Sequence, residues 1–160
     1  MSKGSVVKSG TLPSLWRTFS DLPGGRALFS MLIGRTARYT GTIGARVESL
    51  EHGRGVVTMR DRARVRNHLK SVHAIALMNL GELATGATVM YQVDGRGRGI
   101  LKGIGMDYIK KARGTITATC EALVPETPGK HDLKVEGVLT DSEGDVVARV
   151  QATWRIDIYA

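Results

Sequence analysis

The sequence predicts an α+β fold in which a curved antiparallel sheet of about six strands wraps around one long central helix. The helix is indicated by residues 71–90, whose surface is apolar nearly all round, as is typical of a buried helix. The sheet is indicated by strand-like segments with alternating apolar residues, two before this helix and four after it. One helix leaves the sheet edges free, so we expect the protein to dimerise and continue the sheet.

The chain ahead of the sheet is predicted to be helical in two short pieces. We expect residues 1–23 to form an N-terminal segment and residues 24–160 to form a single domain. Residues 13–20 predict a short helix with proline in its first turn, and residues 26–36 predict a second helix with one apolar side. Both helices either pack simply on the core or line a pocket.

The first two predicted strands form a hairpin, residues 39–50 and 56–66, with a turn at residues 52–55. In the second strand arginine recurs at every second position, and a period of two places side chains on one face. Such a row is either a solvated strand end or a phosphate-binding stripe, because guanidinium groups bind phosphate bidentately. Its members are Arg60, Arg62, Arg64 and Arg66.

The central helix carries a single acidic residue, Glu82. A carboxylate in an apolar run is costly unless it has a partner or a chemical role, so Glu82 either pairs with an arginine of a neighbouring strand or performs chemistry. Ser71 is the predicted N-cap. Gly81 and Gly86 lower helix propensity, which indicates close packing or a ligand at these positions.

Four strands are predicted after the helix, arranged as a meander over residues 100–109, 115–124, 131–141 and 146–158. The single cysteine, Cys120, falls in the second of these segments. One cysteine excludes a disulfide within the chain, and its setting predicts a small buried side chain.

Charge and composition restrict the classes of partner. The formal net charge is +8, which suits an anionic partner or serves solubility alone. Aromatic residues are only 5% and do not interleave with the basic ones, which disfavours nucleic acid. The four histidines lack metal-binding spacing, so no metal site is predicted. No apolar run reaches the roughly 20 residues of a membrane span and no signal peptide is apparent, so we expect a cytoplasmic protein.

The spacing of Asn67, His73 and Glu82 resembles that of the hotdog-fold acyl-CoA thioesterases of the phenylacetate-pathway type. In those enzymes an Asn in a loop precedes a His at the helix start, and an Asp or Glu follows on the helix. The full string RNHLKSVHAIALMNLGELATG resembles an uncharacterised branch of the superfamily, carried as a domain of unknown function. The resemblance covers about residues 24–158 and implies the hotdog fold.

The chain departs from the commoner enzymes of that superfamily on both sides of the histidine. Those enzymes have glycines before the histidine and a Gly-Gly pair after it. This sequence has Lys70 and Val72 before His73, and Ala74 and Ile75 after it.

The resemblance implies a thioester hydrolase in which Glu82 is the general base or nucleophile. It also implies that the amide of Ala74 donates to the oxyanion, at a helix N-terminus whose free N–H groups and dipole favour negative charge. Asn67 would hold the water or the carbonyl, and His73 would orient the loop or hydrogen-bond the thioester.

Helix geometry predicts that these groups cannot form one site within one chain. Nine helical steps separate His73 from Glu82, which amounts to a net rotation of roughly 180° and about 13 Å along the axis. A homodimer would bring Glu82 of one subunit to Asn67 and His73 of the other, and the resemblance implies the same arrangement. A tetramer built as a dimer of dimers is the larger assembly that we consider.

The predicted substrate is an acyl-CoA, less favourably an acyl-carrier-protein thioester, so the CoA moiety is part of the substrate and no separate cofactor is expected. The resemblance places the entrance for the nucleotide end at Lys110, Lys111 and Arg113, and Arg64 and Arg66 are further candidates for its phosphates. Three other functions stay open: an acyl-binding hotdog protein without turnover, a nucleic-acid-binding domain, and a dehydratase, for which no suitably spaced Asp–His pair is present.

Overall fold

The structure, a computed structural model, describes residues 11–160 and forms a six-stranded antiparallel sheet around one long helix. Three helices come first, a 3₁₀ turn at Ala63–Val65 follows β2, and the strand order in the sheet is β1-β2-β4-β5-β6-β3. The elements are α1 (Thr11–Ser20), α2 (Gly25–Thr36), α3 (Arg38–Gly41), β1 (Arg46–Glu51), β2 (Arg54–Met59), α4 (Ala74–Val93), β3 (Gly97–Tyr108), β4 (Ile116–Glu121), β5 (Gly129–Thr140) and β6 (Val146–Ile158).

Helix α4 packs against all six strands, which confirms the predicted architecture. Its buried side chains include Leu80, Ala84 and Val89, all fully inaccessible. Both helix glycines are explained by close packing. A Cβ at Gly81 would lie 2.9 Å from Cβ of Val150, and one at Gly86 would lie 3.0 Å from the ring of Trp154.

The predicted N-cap of this helix is wrong by two residues, because the N-cap is His73 and not Ser71. The Ser71 hydroxyl and N–H instead donate to Oδ1 of Asn67, in a loop closed by a bridge between Arg66 and Val72. The serine therefore stabilises the loop that leads into the helix and leaves the helix terminus to His73.

The first predicted strand begins too early, because residues 38–41 form helix α3. The Thr- and Ile-rich sequence here favours a strand, yet tertiary packing decides otherwise. Gly41 of α3 approaches Gly34 of α2 so closely that a Cβ on Gly41 would lie 2.4 Å from the Gly34 carbonyl oxygen.

The predicted arginine stripe is also wrong, because β2 ends at Met59. The chain then turns, since the Asp61 carboxylate accepts hydrogen bonds from Nε of Arg66 (2.6 Å) and from the N–H of Gly114 (3.1 Å). The 3₁₀ turn at Ala63–Val65 interrupts the period of two, so the four arginines do not share a strand face.

The last four strands are present, but β3 does not belong to the meander. Helix α4 carries the chain across the sheet, so β3 pairs with β6 at the far edge while β4 pairs with β2. Cys120 on β4 is fully buried, as predicted, and burial raises the pKa of its thiol to about 11.

The two N-terminal helices lie where they were predicted, and α1 contacts α4 whereas α2 packs against α1 and β1. Trp16 of α1 meets Phe29 of α2 edge-to-face, with ring centroids 5.0 Å apart. Helix α2 is fixed to the sheet because Ser30 Oγ accepts the N–H of Val47 at 2.8 Å. No helix within residues 11–160 is long and apolar enough to cross a membrane.

Candidate active site

Glu82 is half-buried on α4 and lines a small apolar cavity of about 200 Å³. Within residues 11–160 its carboxylate has no hydrogen bond and no ion pair, so the expected alternative of an arginine partner does not hold there. The cavity walls come from α1, α2, α3, β1, α4 and β6, and they include Leu12, Phe29, Ile33, Leu50, Met90 and Trp154.

The start of α4 presents a free amide. His73 is extended (φ −67°, ψ 139°), and its Nδ1 accepts the N–H of Ile75 at 3.1 Å. The N–H of Ala74 has no hydrogen-bond partner in the part of the chain that the structure describes. The Ala74 carbonyl accepts the hydroxyl of Tyr108 at 3.0 Å, and burial raises the pKa of that phenol. The Ala74 amide therefore remains available to an oxyanion.

Asn67 holds the loop ahead of the helix. Its Oδ1 accepts hydrogen bonds from the N–H of Leu69 (2.9 Å) and from the N–H and hydroxyl of Ser71 (both 3.2 Å). Lys70 adopts φ +57° and is the one non-glycine residue with positive φ among those described. The lysine thus keeps a left-handed backbone that favours glycine, the residue that the commoner enzymes have in this loop.

Asn79 was not predicted as a site residue, although it stands one turn before Glu82 on the same helix face. It is 4% exposed, and its Nδ2 donates to the Tyr39 carbonyl at 3.2 Å. Because that carbonyl can only accept, Oδ1 is the atom left without a partner in the described residues. A polar residue inside an apolar helix was the available signal, but only the contact with Tyr39 reveals its orientation.

Asn79 lines a cavity of about 220 Å³ at the start of α4, together with Arg64 and His73. A third cavity of about 1110 Å³ lies between α2, α3 and the β1–β2 hairpin. It shares Thr42 and Arg64 with the helix-start cavity. It shares Ile33, Thr40, Val47 and Leu83 with the Glu82 cavity. The large cavity therefore borders both smaller ones in a single chain.

The rotation expected between His73 and Glu82 does not apply directly, because His73 is a cap with a non-helical backbone. Counted from Ala74, eight helical steps give a net rotation of roughly 80° and about 12 Å along the axis. The axial distance alone still keeps the Ala74 amide and the Glu82 carboxylate too far apart for one thioester.

The predicted entrance residues differ in their surroundings. Nζ of Lys110 pairs with Asp141 (2.8 Å) and Asp145 (2.6 Å), and these hydrogen bonds raise the pKa of the ammonium group. Lys111 and Arg113 are exposed and have no ion pair in residues 11–160. Arg66 is held by Asp61, whereas Arg64 lines two cavities.

The fold places the molecule in a known structural class. A structural-genomics protein is 28% identical and superposes with a TM-score of 0.79, over 92% of this chain and 98% of its own. A protein of unknown function from Pseudomonas aeruginosa, described as a probable thioesterase, is 28% identical with a TM-score of 0.73, over 86% and 97%. A mutant of a thioesterase from Staphylococcus aureus shares the fold at 19% identity with a TM-score of 0.66, over 75% and 98%. The protein has the hotdog fold of the thioesterase superfamily, as the resemblance implied.

Within that class, residues 25–156 match the family described as Domain of unknown function (DUF4442), and the chain belongs to this family. No curated protein matches the chain.

Proposed function

We propose that the protein hydrolyses a thioester, with an acyl-CoA as the substrate class and Glu82 as general base or nucleophile. The observation that carries this proposal is the half-buried Glu82 carboxylate, which faces an apolar cavity without a partner in residues 11–160. An acyl chain suits the apolar walls, and a carboxylate beside it can act on the reacting carbonyl. The thioesterase description of the Pseudomonas aeruginosa protein supports the same reaction class.

In the general-base form of the reaction, Glu82 takes a proton from a water molecule while the water oxygen attacks the thioester carbon. The carbonyl oxygen becomes an oxyanion, the C–S bond breaks, and the thiolate leaves and takes up a proton. The Ala74 N–H and the dipole of α4 would stabilise the oxyanion.

We infer that a complete site needs two copies of the chain, because about 12 Å of helix separates Ala74 from Glu82. In such a homodimer Glu82 of one subunit would face the loop and helix start of the other. There, Nδ1 of His73 is occupied by the Ile75 N–H, so Nε2 is the atom that can reach the substrate. Oδ1 of Asn67 is occupied as well, so its amide nitrogen is the group that can donate to the carbonyl or orient the water.

The experiment is thiol release from a panel of acyl-CoAs, comparing wild-type protein with Glu82→Gln. The amide keeps the shape of the side chain but cannot take a proton, so turnover should fall by roughly 100-fold or more. Glu126→Gln, an exposed glutamate in the β4–β5 loop, is the matched control and should keep wild-type turnover. Unchanged hydrolysis by Glu82→Gln would remove this carboxylate from the mechanism.

The second candidate is an acyl-CoA-binding hotdog protein without turnover. The observation that favours it is the engagement of Asn67 Oδ1 and His73 Nδ1 in loop contacts. Saturable acyl-CoA binding with no thiol release across the panel would establish this alternative.

A further inference from the structure

The cavity of about 1110 Å³ between α2, α3 and the β1–β2 hairpin is strongly basic. Six arginines line this cavity, and we call it the arginine cavity. Glu48 is its one acidic lining residue among those described. The formal charge of the lining is therefore six minus one, or +5. The arginines are Arg35, Arg38, Arg46, Arg60, Arg62 and Arg64.

Two of these arginines are engaged by the protein. Nη2 of Arg62 donates to the Ile43 carbonyl at 2.8 Å, and Nε of Arg46 lies 3.5 Å from Glu48. Glu48 also accepts a hydrogen bond from the hydroxyl of Thr58, so its carboxylate is only partly available to the arginines. The side chains of the other four arginines have neither an ion pair nor a hydrogen bond within residues 11–160.

The backbone is shaped around this charge. Gly44 has φ +58°, and a Cβ there would lie 1.8 Å from Nη2 of Arg62. Only glycine therefore leaves room for this guanidinium against the Ile43 carbonyl. All six lining arginines are exposed, and this contact fixes the position of one of them, Arg62.

Four unpaired guanidinium groups around one concave surface repel one another and focus a positive field into the cavity. An anion relieves that repulsion, and guanidinium groups bind phosphate oxygens in pairs. At about 1110 Å³ the cavity exceeds the roughly 300–1,000 Å³ of usual small-molecule sites. It has room for more than one phosphate group.

We propose that the arginine cavity binds the polyphosphorylated part of a ligand that carries at least two phosphate groups. Ile33, Thr40 and Val47 line both this cavity and the Glu82 cavity, so one ligand can place its anionic end here and its apolar end beside the carboxylate. The placement of the apolar end beside Glu82 rests on the proposed function, whereas phosphate binding in the arginine cavity does not. The anionic end then enters between α2 and β1, and not at Lys111 and Arg113.

The test is isothermal titration calorimetry with three probes: coenzyme A as the free thiol, sodium tripolyphosphate, and pantetheine, which lacks phosphate. Wild-type protein should bind coenzyme A, tripolyphosphate or both, with an affinity that falls as the salt concentration rises. It should bind pantetheine at least about tenfold more weakly than the phosphorylated probe. If coenzyme A binds tightly and tripolyphosphate does not, the ligand carries a nucleotide. If the two probes bind equally well, the ligand is a simple polyphosphate.

The variant Arg38→Gln/Arg60→Gln should weaken binding at least about tenfold, because each charge-assisted contact contributes strongly to affinity. Both side chains are exposed, so the fold should tolerate the change. Lys134→Gln/Arg149→Gln removes the same charge from β5 and β6 and should stay within about twofold of wild type. If the glutamine variant does not fold, Arg38→Lys/Arg60→Lys replaces it. Intermediate affinity would then support the proposal and unchanged affinity would contradict it.

Three results would overturn the inference: neither phosphorylated probe binds, the Arg38/Arg60 variant binds as wild type, or only Lys111→Gln/Arg113→Gln loses affinity. Coenzyme A carries no thioester, so this readout is independent of turnover. Loss of binding in the arginine variant, in a protein that hydrolyses no acyl-CoA, would keep this inference and reject the proposed function. Unchanged binding in the arginine variant, in a protein that does hydrolyse acyl-CoA, would reject this inference and keep the proposed function.

Discussion

The start of α4 and the middle of α4 both hold polar side chains, but these are satisfied in different ways. At the start, Asn67 and Ser71 bond to each other and His73 bonds to the Ile75 N–H. In the middle, Glu82 faces apolar walls and has no partner among residues 11–160. Polar groups that bond to each other hold the loop, whereas an unpaired group in a cavity costs stability and suits a chemical role.

The largest effect on turnover is expected when the N–H of Ala74, at the start of α4, is removed. Ala74→Pro removes the N–H that we assign to the oxyanion, while proline is tolerated at the first position of a helix. The preceding residue, His73, already has the extended backbone that proline requires. We expect turnover to fall by roughly 100- to 1,000-fold with the fold retained, measured by thiol release and circular dichroism.

Ile75→Pro is the matched control, because it removes the N–H that His73 accepts and so disturbs the cap itself. It should lower the melting temperature as well as activity. Full activity in Ala74→Pro would exclude the Ala74 amide as oxyanion donor.

A second prediction concerns the loop, where stability is expected to change most. Asn67→Ala removes the acceptor of three hydrogen bonds and should cost about 1–3 kcal/mol in the free energy of unfolding. Urea denaturation provides the measurement, and alkylation of the buried Cys120 thiol provides an independent probe of core opening. Asn67→Asp keeps the acceptor oxygen and should lower the free energy of unfolding by less than Asn67→Ala does. Equal loss in both variants would contradict this role for Oδ1.

The smallest effect is expected when the carboxylate in the middle of the helix is replaced by an apolar side chain. Glu82→Met should leave the free energy of unfolding unchanged or raise it by up to about 1 kcal/mol, because an unpaired charge leaves an apolar cavity. Thiol release should be lost in the same variant. A clear loss of stability in urea would mean that Glu82 supports the fold, and the contrast between the two parts of α4 would fail.

The elements that the sequence predicted well are those with a clear burial pattern, either apolar on all sides or alternating between buried and exposed residues. Helix α4 is apolar all round, and β6 was predicted with its observed bounds, Val146–Ile158. Where tertiary contacts decide, the local pattern misled. Packing of Gly41 on Gly34 overrode the strand propensity of residues 38–41, and the 3₁₀ turn at Ala63–Val65 interrupted the predicted arginine stripe.

The site was predictable to the same extent. The position of Glu82 on the central helix followed from the residue pattern, whereas the helix start was predicted at Ser71 and lies at His73. The orphaned oxygen of Asn79 did not, since it depends on the carbonyl of Tyr39, 40 residues away in sequence. The arginine cavity needed α2 and α3 as walls, and a strand pattern gives no information about helices that fold over it.

Helix α2 forms part of the wall of both the apolar cavity and the arginine cavity. Phe29 and the bond from the Val47 N–H to Ser30 fix it to the core and to β1. Neither cavity can therefore be enlarged by moving this helix without reshaping the other. If both proposals hold, substitutions along α2 should change the preferred acyl chain length and the preferred anion together, because this one helix would contact both ends of the ligand.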